Sequence, residues 1–310
     1  MFSFFSAEVV QNPLTEFDNS LAPLCIYKCP FETGGRQKHV KGMKFLKFLV
    51  VLTIGITCCM NFTSCSNEED EPDNGVSNGT VNPATVFANG IPQKVGGMNL
   101  TVNGEGLVSA LTDGSVKVTF EYPCMSRAAE ADVIMNISSD EDGNRVLYIT
   151  VNDLGYSKYW KRVYDDGDVD EYWFEYNTDY QLKKIKIKNC EGSATVDFTY
   201  ESGNITSVKM IPADGGTIKM SYGNSPIKNN GGVMMWEMFG IEDDIQYVYY
   251  AGLLGKATVS LPIKHEAYFD GEKYVENYTW AINDKGLPTK LTVEWIDSED
   301  SGTEEMTFEW

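Results

Sequence analysis

Val196-Asp197-Phe198-Thr199-Tyr200-Glu201-Ser202-Gly203-Asn204 holds the pattern from which the fold follows. Val196, Phe198 and Tyr200 alternate with Asp197 and Thr199. An extended chain therefore places three apolar side chains on one face and polar ones on the other. Glu201-Ser202-Gly203-Asn204 then supplies Gly and Asn, which accept the positive φ of a tight hairpin turn. The alternation returns at Val118, Phe120 and Tyr122, at Tyr172, Phe174 and Tyr176, and at Ile218, Met220 and Tyr222. It closes the chain at Leu291, Val293 and Trp295 and at Met306, Phe308 and Trp310. Aromatic and β-branched residues fill these faces, as a pleated surface prefers.

Turn residues recur at matching places: Asn103-Gly104-Glu105-Gly106, Asp140-Glu141-Asp142-Gly143-Asn144 and Asn283-Asp284-Lys285-Gly286. Behind such turns come aliphatic runs, as in Leu182, Ile185 and Ile187 set among Lys183, Lys184, Lys186 and Lys188. Tyr176 and Tyr200 stand 24 residues apart and Tyr200 and Tyr222 stand 22 apart, the length of one hairpin. The expected fold is all-β: an antiparallel meander of hairpins forming a strongly curved sheet or soluble barrel. Outward positions such as Lys184, Lys186, Glu175 and Glu294 carry charge, so the apolar face must point inward. One stretch breaks the rhythm. Residues 233–254 are rich in Met, Leu and Tyr between Gly240 and Gly252, and predict one or two short helices plugging or capping an open end.

Ahead of the strands, Met43 to Ser64 reads as a lipoprotein signal peptide. Lys44 and Lys47 precede the apolar run Leu49–Ile56, and Phe62-Thr63-Ser64 leads to Cys65. That run is shorter than the roughly 20 residues of a spanning helix. Cys65 is the expected lipidation site and the expected link to the membrane, since several acyl chains anchor where one barely holds. Residues 1–42 do not suit an export signal and read as an extension upstream of a true start at Met43. Residues 65–84, with Glu68-Glu69-Asp70-Glu71 close behind Cys65, read as an acidic disordered tether. Residues 85–310 form the single β domain.

Charge narrows the partners. The chain carries a net −20, and removal of the residues before Cys65 makes it −22. Nucleic acid is excluded, because its affinity comes from Lys and Arg neutralising phosphates. Cys124 and Cys190 are the two cysteines after Cys65, able to pair or to stay free.

The lipobox, the acidic tether, Ile91-Pro92-Gln93-Lys94-Val95, the hairpins and the block Gly252-Leu253-Leu254-Gly255-Lys256 before Leu261-Pro262 together resemble a Bacteroidetes surface-lipoprotein family. It is classed as a domain of unknown function with a porin-like fold, and its hairpins are similar to YD-type repeats. The resemblance covers Val86 to Trp310 and implies a strongly curved or closed barrel, with no catalytic residues. The acidic residues behind Cys65 resemble the signal that sends such lipoproteins to the outer face of the outer membrane. The periplasmic face is the alternative.

Motifs for chemistry are sparse. His265, in Ile263-Lys264-His265-Glu266, is the sole histidine after the signal, and reads as a surface or hydrogen-bonded structural residue. No catalytic residue, cofactor or metal site is expected. Asp165-Asp166-Gly167-Asp168-Val169-Asp170-Glu171 lacks the Gly and Glu of an EF-hand loop and reads as a charged hairpin tip. Trp173 falls out of phase with Tyr172 and Phe174 and should face outward. Trp160 and Tyr159 are placed beside it as a candidate ligand-binding surface. The function expected is non-enzymatic binding of neutral glycans. A structural or adhesive accessory protein, meeting another envelope protein through a sheet edge or the helical insert, is the alternative. A carboxylate-dependent hydrolase ranks third.

Overall fold

The computed structural model describes residues 79–123, 131–140, 143–190, 192–211, 216–241, 244–269, 272–296 and 301–310. All of them belong to one compact unit. The signal segment, Cys65 and Cys124 lie outside them.

The strands run as follows: β1 Lys94–Val95, β2 Met98–Val102, β3 Val108–Asp113, β4 Val116–Glu121, β5 Val133–Ser138 and β6 Arg145–Val151. Next come β7 Ser157–Tyr164, β8 Val169–Tyr176, β9 Leu182–Asn189, β10 Gly192–Glu201, β11 Asn204–Ile211 and β12 Thr217–Ser221. The last are β13 Ile227–Lys228, β14 Ser260–Leu261, β15 Lys264–Phe269, β16 Glu272–Ile282, β17 Pro288–Ile296 and β18 Ser301–Glu309. Among the described residues, sixteen of these strands close into one antiparallel barrel, each paired with its sequence neighbours. β12 pairs with β15 across an excursion that contains β13 and β14, and β1 pairs with β18 to complete the ring. The meander expected from the alternation is present, and the sheet closes.

Two devices repeat around the wall. Asn103, Asn152, Asn177 and Asn283 open turns of one design, each side-chain oxygen accepting from the backbone N–H groups two and four residues on. The fourth residue takes positive φ: Gly106, Gly155 and Gly286, but Tyr180 in the third copy. The second device is a tie. Tyr122, Tyr176, Tyr200 and Tyr222 each stand at or just beyond the end of a strand and donate a hydroxyl to the carbonyl of Val108, Ser157, Leu182 and Ile205, near the start of the strand before. Trp280 and Trp310 do the same through their indole N–H, to Pro262 and Pro288. The final aromatic of each run is half apolar and half polar, and so it caps the packed lumen while satisfying a backbone oxygen at the rim.

The lumen is filled by chain. Residues 229–241 and 244–259 enter it as a plug that contains a 3-10 turn, Trp236–Phe239, and one helix, α1 (Asp244–Tyr250), whose residues are all buried. The short helical insertion expected near 233–254 is present. The Met-rich part forms the 3-10 turn and the Tyr/Val-rich part forms the helix, because packing overrides propensity here. Trp236 meets Phe198 and Phe239 edge-on, and Tyr249 and Tyr250 donate to the carbonyls of Gly232 and Met234. Residues 79–84, assigned to the tether from sequence, instead lie against the barrel: Pro83 is buried and capped by Asn82. Phe87 follows them inside, stacked on Tyr250 at 5.9 Å.

Candidate functional site

β7 to β10 bring one row of side chains to the outer wall. Tyr159 stands opposite Trp173, Trp173 opposite Lys186, and Lys186 opposite Thr195. The Tyr159 and Trp173 rings lie 5.5 Å apart and tilted by 51°. Beside Trp173 opens a surface hollow of about 420 Å³ bordered by Lys186, Lys188, Ser193 and Thr195. Each nearby charge has an opposite partner: Lys186 lies 2.7 Å from Glu175, Lys188 lies 3.3 Å from Glu171, and Tyr159 donates to Glu171 at 2.8 Å. Tyr159 is pushed up to about 12 by partial burial and by the Glu171 carboxylate. Glu171 is held below the usual carboxylate range by the Tyr159 hydroxyl and then Lys188, and Glu175 by Lys186.

Trp160 is not part of this face. It is 1% exposed and points into the lumen, with its ring 4.4 Å from Phe174. The expected three-residue surface is thus a pair, Tyr159 and Trp173. The reason lies two residues on, where Arg162 also points inward, so that Trp160 and Arg162 share the buried face of β7.

That inward arginine belongs to a buried ion network absent from the sequence reading. Asp244, at the start of α1, accepts from Arg145 at 2.7 Å and from Arg162 at 3.1 Å. Arg162 also donates to Asp170 at 2.5 Å, and Tyr164 donates to Asp170 at 2.9 Å. Burial pushes Asp244 up, but the two guanidinium groups outweigh it and hold the carboxyl below its usual value. Two cations and two anions from three strands and the plug cancel, which is what lets them sit inside. Asp170, read as part of a charged tip, is instead one of these partners. The one available signal was Arg145 and Arg162 as inward-phase charges on β6 and β7.

His265 is not a surface residue. It is 5% exposed, and neither ring nitrogen has a hydrogen-bond partner. Its nearest polar neighbour is Glu276, 3.4 Å from Nδ1, and Glu276 in turn contacts the Tyr278 hydroxyl. Cys190 is an exposed free thiol. Among the described residues no three His, Cys, Asp or Glu side chains group as a metal ion would require.

Residues 112–290 match the family described as a domain of unknown function (DUF4595) with porin-like fold. The chain belongs to this family. Its barrel is similar to a porin-like protein from Bacteroides uniformis, with 16% identity, a TM-score of 0.51, and coverage of 68% of this chain and 87% of that one. A porin-like protein from Bacteroides vulgatus aligns with 11% identity, a TM-score of 0.48, and coverage of 71% and 98%. No curated protein matches.

Among the described residues the lumen is packed. Apolar side chains from the wall and plug pack it, and the void lined by Met220, Met234, Met235 and Met238 measures about 20 Å³, little more than one water molecule.

Proposed function

We propose that this chain is a lipoprotein of the outer membrane, moored through Cys65 and exposed outside the cell, that binds neutral glycans on the Tyr159–Trp173 face. The carrying observation is the half-buried Trp173 ring bordering a hollow of about 420 Å³, flanked by charges already matched in pairs. A sugar ring is flat and apolar on one face and ringed with hydroxyls at its edge. Trp173 suits the face, while Lys186, Glu175, Lys188, Glu171 and Thr195 supply donors and acceptors to the hydroxyls. Their local balance favours an uncharged ligand, because an anion or cation would have to displace an existing ion pair. The mooring and the outward address rest on the sequence around Cys65.

Screening of the full chain on a glycan array tests the binding. Neutral oligosaccharides are expected among the ligands, and Trp173→Ala should weaken them at least tenfold while the β circular dichroism is retained. Binding untouched by Trp173→Ala, or no neutral glycan bound, would overturn the reading. A protein-docking role is favoured by one observation. β1 pairs with β18 only at Phe308 and Glu309, so the upper part of β18 has no partner in β1. The helical insert, the other docking surface foreseen, is buried in the lumen.

A further inference from the structure

The closure of the barrel leaves one strand edge uncovered among the described residues. Gly96-Gly97 reverses the chain after the two residues of β1, with Gly96 at φ 57°. β1 therefore meets only the last part of β18. Val95 stands opposite Phe308, Lys94 opposite Glu309, and the Gly96 N–H donates to the Thr307 carbonyl at 2.8 Å. On its other side β18 pairs with β17 over residues 301–307. Alternate residues of a strand turn their backbone groups the same way. Thr307 turns its carbonyl toward β1, so Thr303 and Glu305 turn their N–H and C=O to that side too, where no described strand pairs with them. Both are exposed. Such an edge is a template for one more strand.

The side chains along the edge select what that strand carries. Glu305 is held by Lys290 at 2.7 Å, whereas Glu304 is exposed and has no cationic partner among the described residues. Gly302 shares a face with Glu304, two residues on. Trp295 stands opposite Gly302 and lays its six-membered ring across it, in the space that a Cβ would take. A strand added here thus meets a carboxylate and an aromatic ring on one face. Both favour a cation, the first as a cross-strand pair and the second through the ring quadrupole. A second copy of β18 would instead bring Glu304 and Glu305 toward their own counterparts, on a chain of net charge −20. The acidic segment behind Cys65 is opposed by the same repulsion.

We propose that residues 302–305 of β18 accept an extended segment of another protein, added as a strand whose Lys or Arg side chains face Glu304 and Trp295. Main-chain hydrogen bonds at Thr303 and Glu305 supply the affinity, and the acidic and aromatic face supplies the choice of partner. This rests on the protein-docking role and gives it a partner chemistry, and it is independent of the glycan reading.

Fluorescence anisotropy of the full-length chain with a labelled peptide, Thr-Lys-Val-Lys-Val-Lys-Thr, tests this against the same peptide with Glu in place of each Lys. The basic peptide is expected to bind and the acidic one not. Thr303→Pro removes one N–H on the uncovered side and leaves the β17 ladder in place. It should weaken binding at least tenfold with the β circular dichroism retained. Glu304→Gln should weaken it severalfold and flatten its salt dependence. No binding of the basic peptide, or binding unchanged by Thr303→Pro, would overturn the proposal. Equal binding of the acidic peptide, lost in Thr303→Pro, would overturn the basic partner and leave the docking role standing. A dimer by sedimentation that Thr303→Pro dissociates would overturn it in favour of a second copy. Trp173→Ala should change none of these readouts, which separates them from the glycan reading.

Discussion

Gly155 sits at φ 80° in the turn between β6 and β7, and a Cβ there would meet the carbonyl oxygen of Thr80. Gly106 holds the same position in the β2–β3 turn at φ 82°, with nothing within 4 Å of where its Cβ would be. Alanine at Gly106 therefore meets only the left-handed backbone cost, about 1 kcal/mol. At Gly155 it must also push the N-terminal segment off the barrel, for a total of roughly 3 kcal/mol. Urea unfolding of the two variants should show that difference, and equal losses would mean that residues 79–84 do not dock. Tyr180 is the exception in the series, a side chain at φ 65° where its three counterparts are glycine. Its ring lies 5.0 Å from the Lys256 ammonium. A cation–π contact of about 0.5–1 kcal/mol offsets most of the strain, so Tyr180→Gly should leave the urea midpoint nearly unchanged.

The plug is the element whose removal the barrel would feel most, and Asp244 is its electrostatic fastening. Asp244→Ala leaves Arg145 and Arg162 buried without their shared anion and should cost about 3–5 kcal/mol, read as a lowered denaturation midpoint. The same contact sets a pH dependence. Its carboxyl is held lower in the folded chain than in the unfolded one, so the unfolded chain takes up protons first. The stabilisation is complete above the unfolded value of about 4 and falls as the pH drops below it. Thermal unfolding between pH 6 and pH 3 should be steeper in the natural protein than in Asp244→Asn. Beyond the inward phase of Arg145 and Arg162, none of this showed in the sequence, although the strands did. The period-two runs ending in Tyr122, Tyr176, Tyr200 and Tyr222 were legible because half-burial writes itself directly into alternation. Trp160 was not, because its phase depends on Arg162 facing inward, and an inward arginine makes sense only once Asp244 is known to meet it. Whether residues 233–254 cap the barrel or fill it was equally hidden, since both need the same Met and aromatic composition. The outward direction of Trp173 was legible, as it falls between two core residues of its own strand.

At the scale of the whole molecule, the barrel turns inside out the pattern that a lipid-facing barrel needs. Its aromatic and aliphatic faces point into a packed lumen, and its outer wall carries ion pairs such as Lys184 with Asp197, Lys186 with Glu175 and Lys290 with Glu305. A Lys on a lipid face costs about 2–4 kcal/mol at the bilayer midplane, so this wall would oppose insertion by on the order of 10 kcal/mol from its lysines alone. Among the described residues, exposed large hydrophobics such as Val102, Leu154, Val169 and Ile282 stand near strand ends and turns. Under the proposed mooring, Cys65 is the residue that decides location. Metabolic labelling with palmitate should mark the natural chain and not Cys65→Ala, and high-salt washing should release the variant from membranes while the natural chain stays. If Cys65→Ala remains membrane-bound after the wash, the barrel itself holds the bilayer and the outer wall has been assigned the wrong environment.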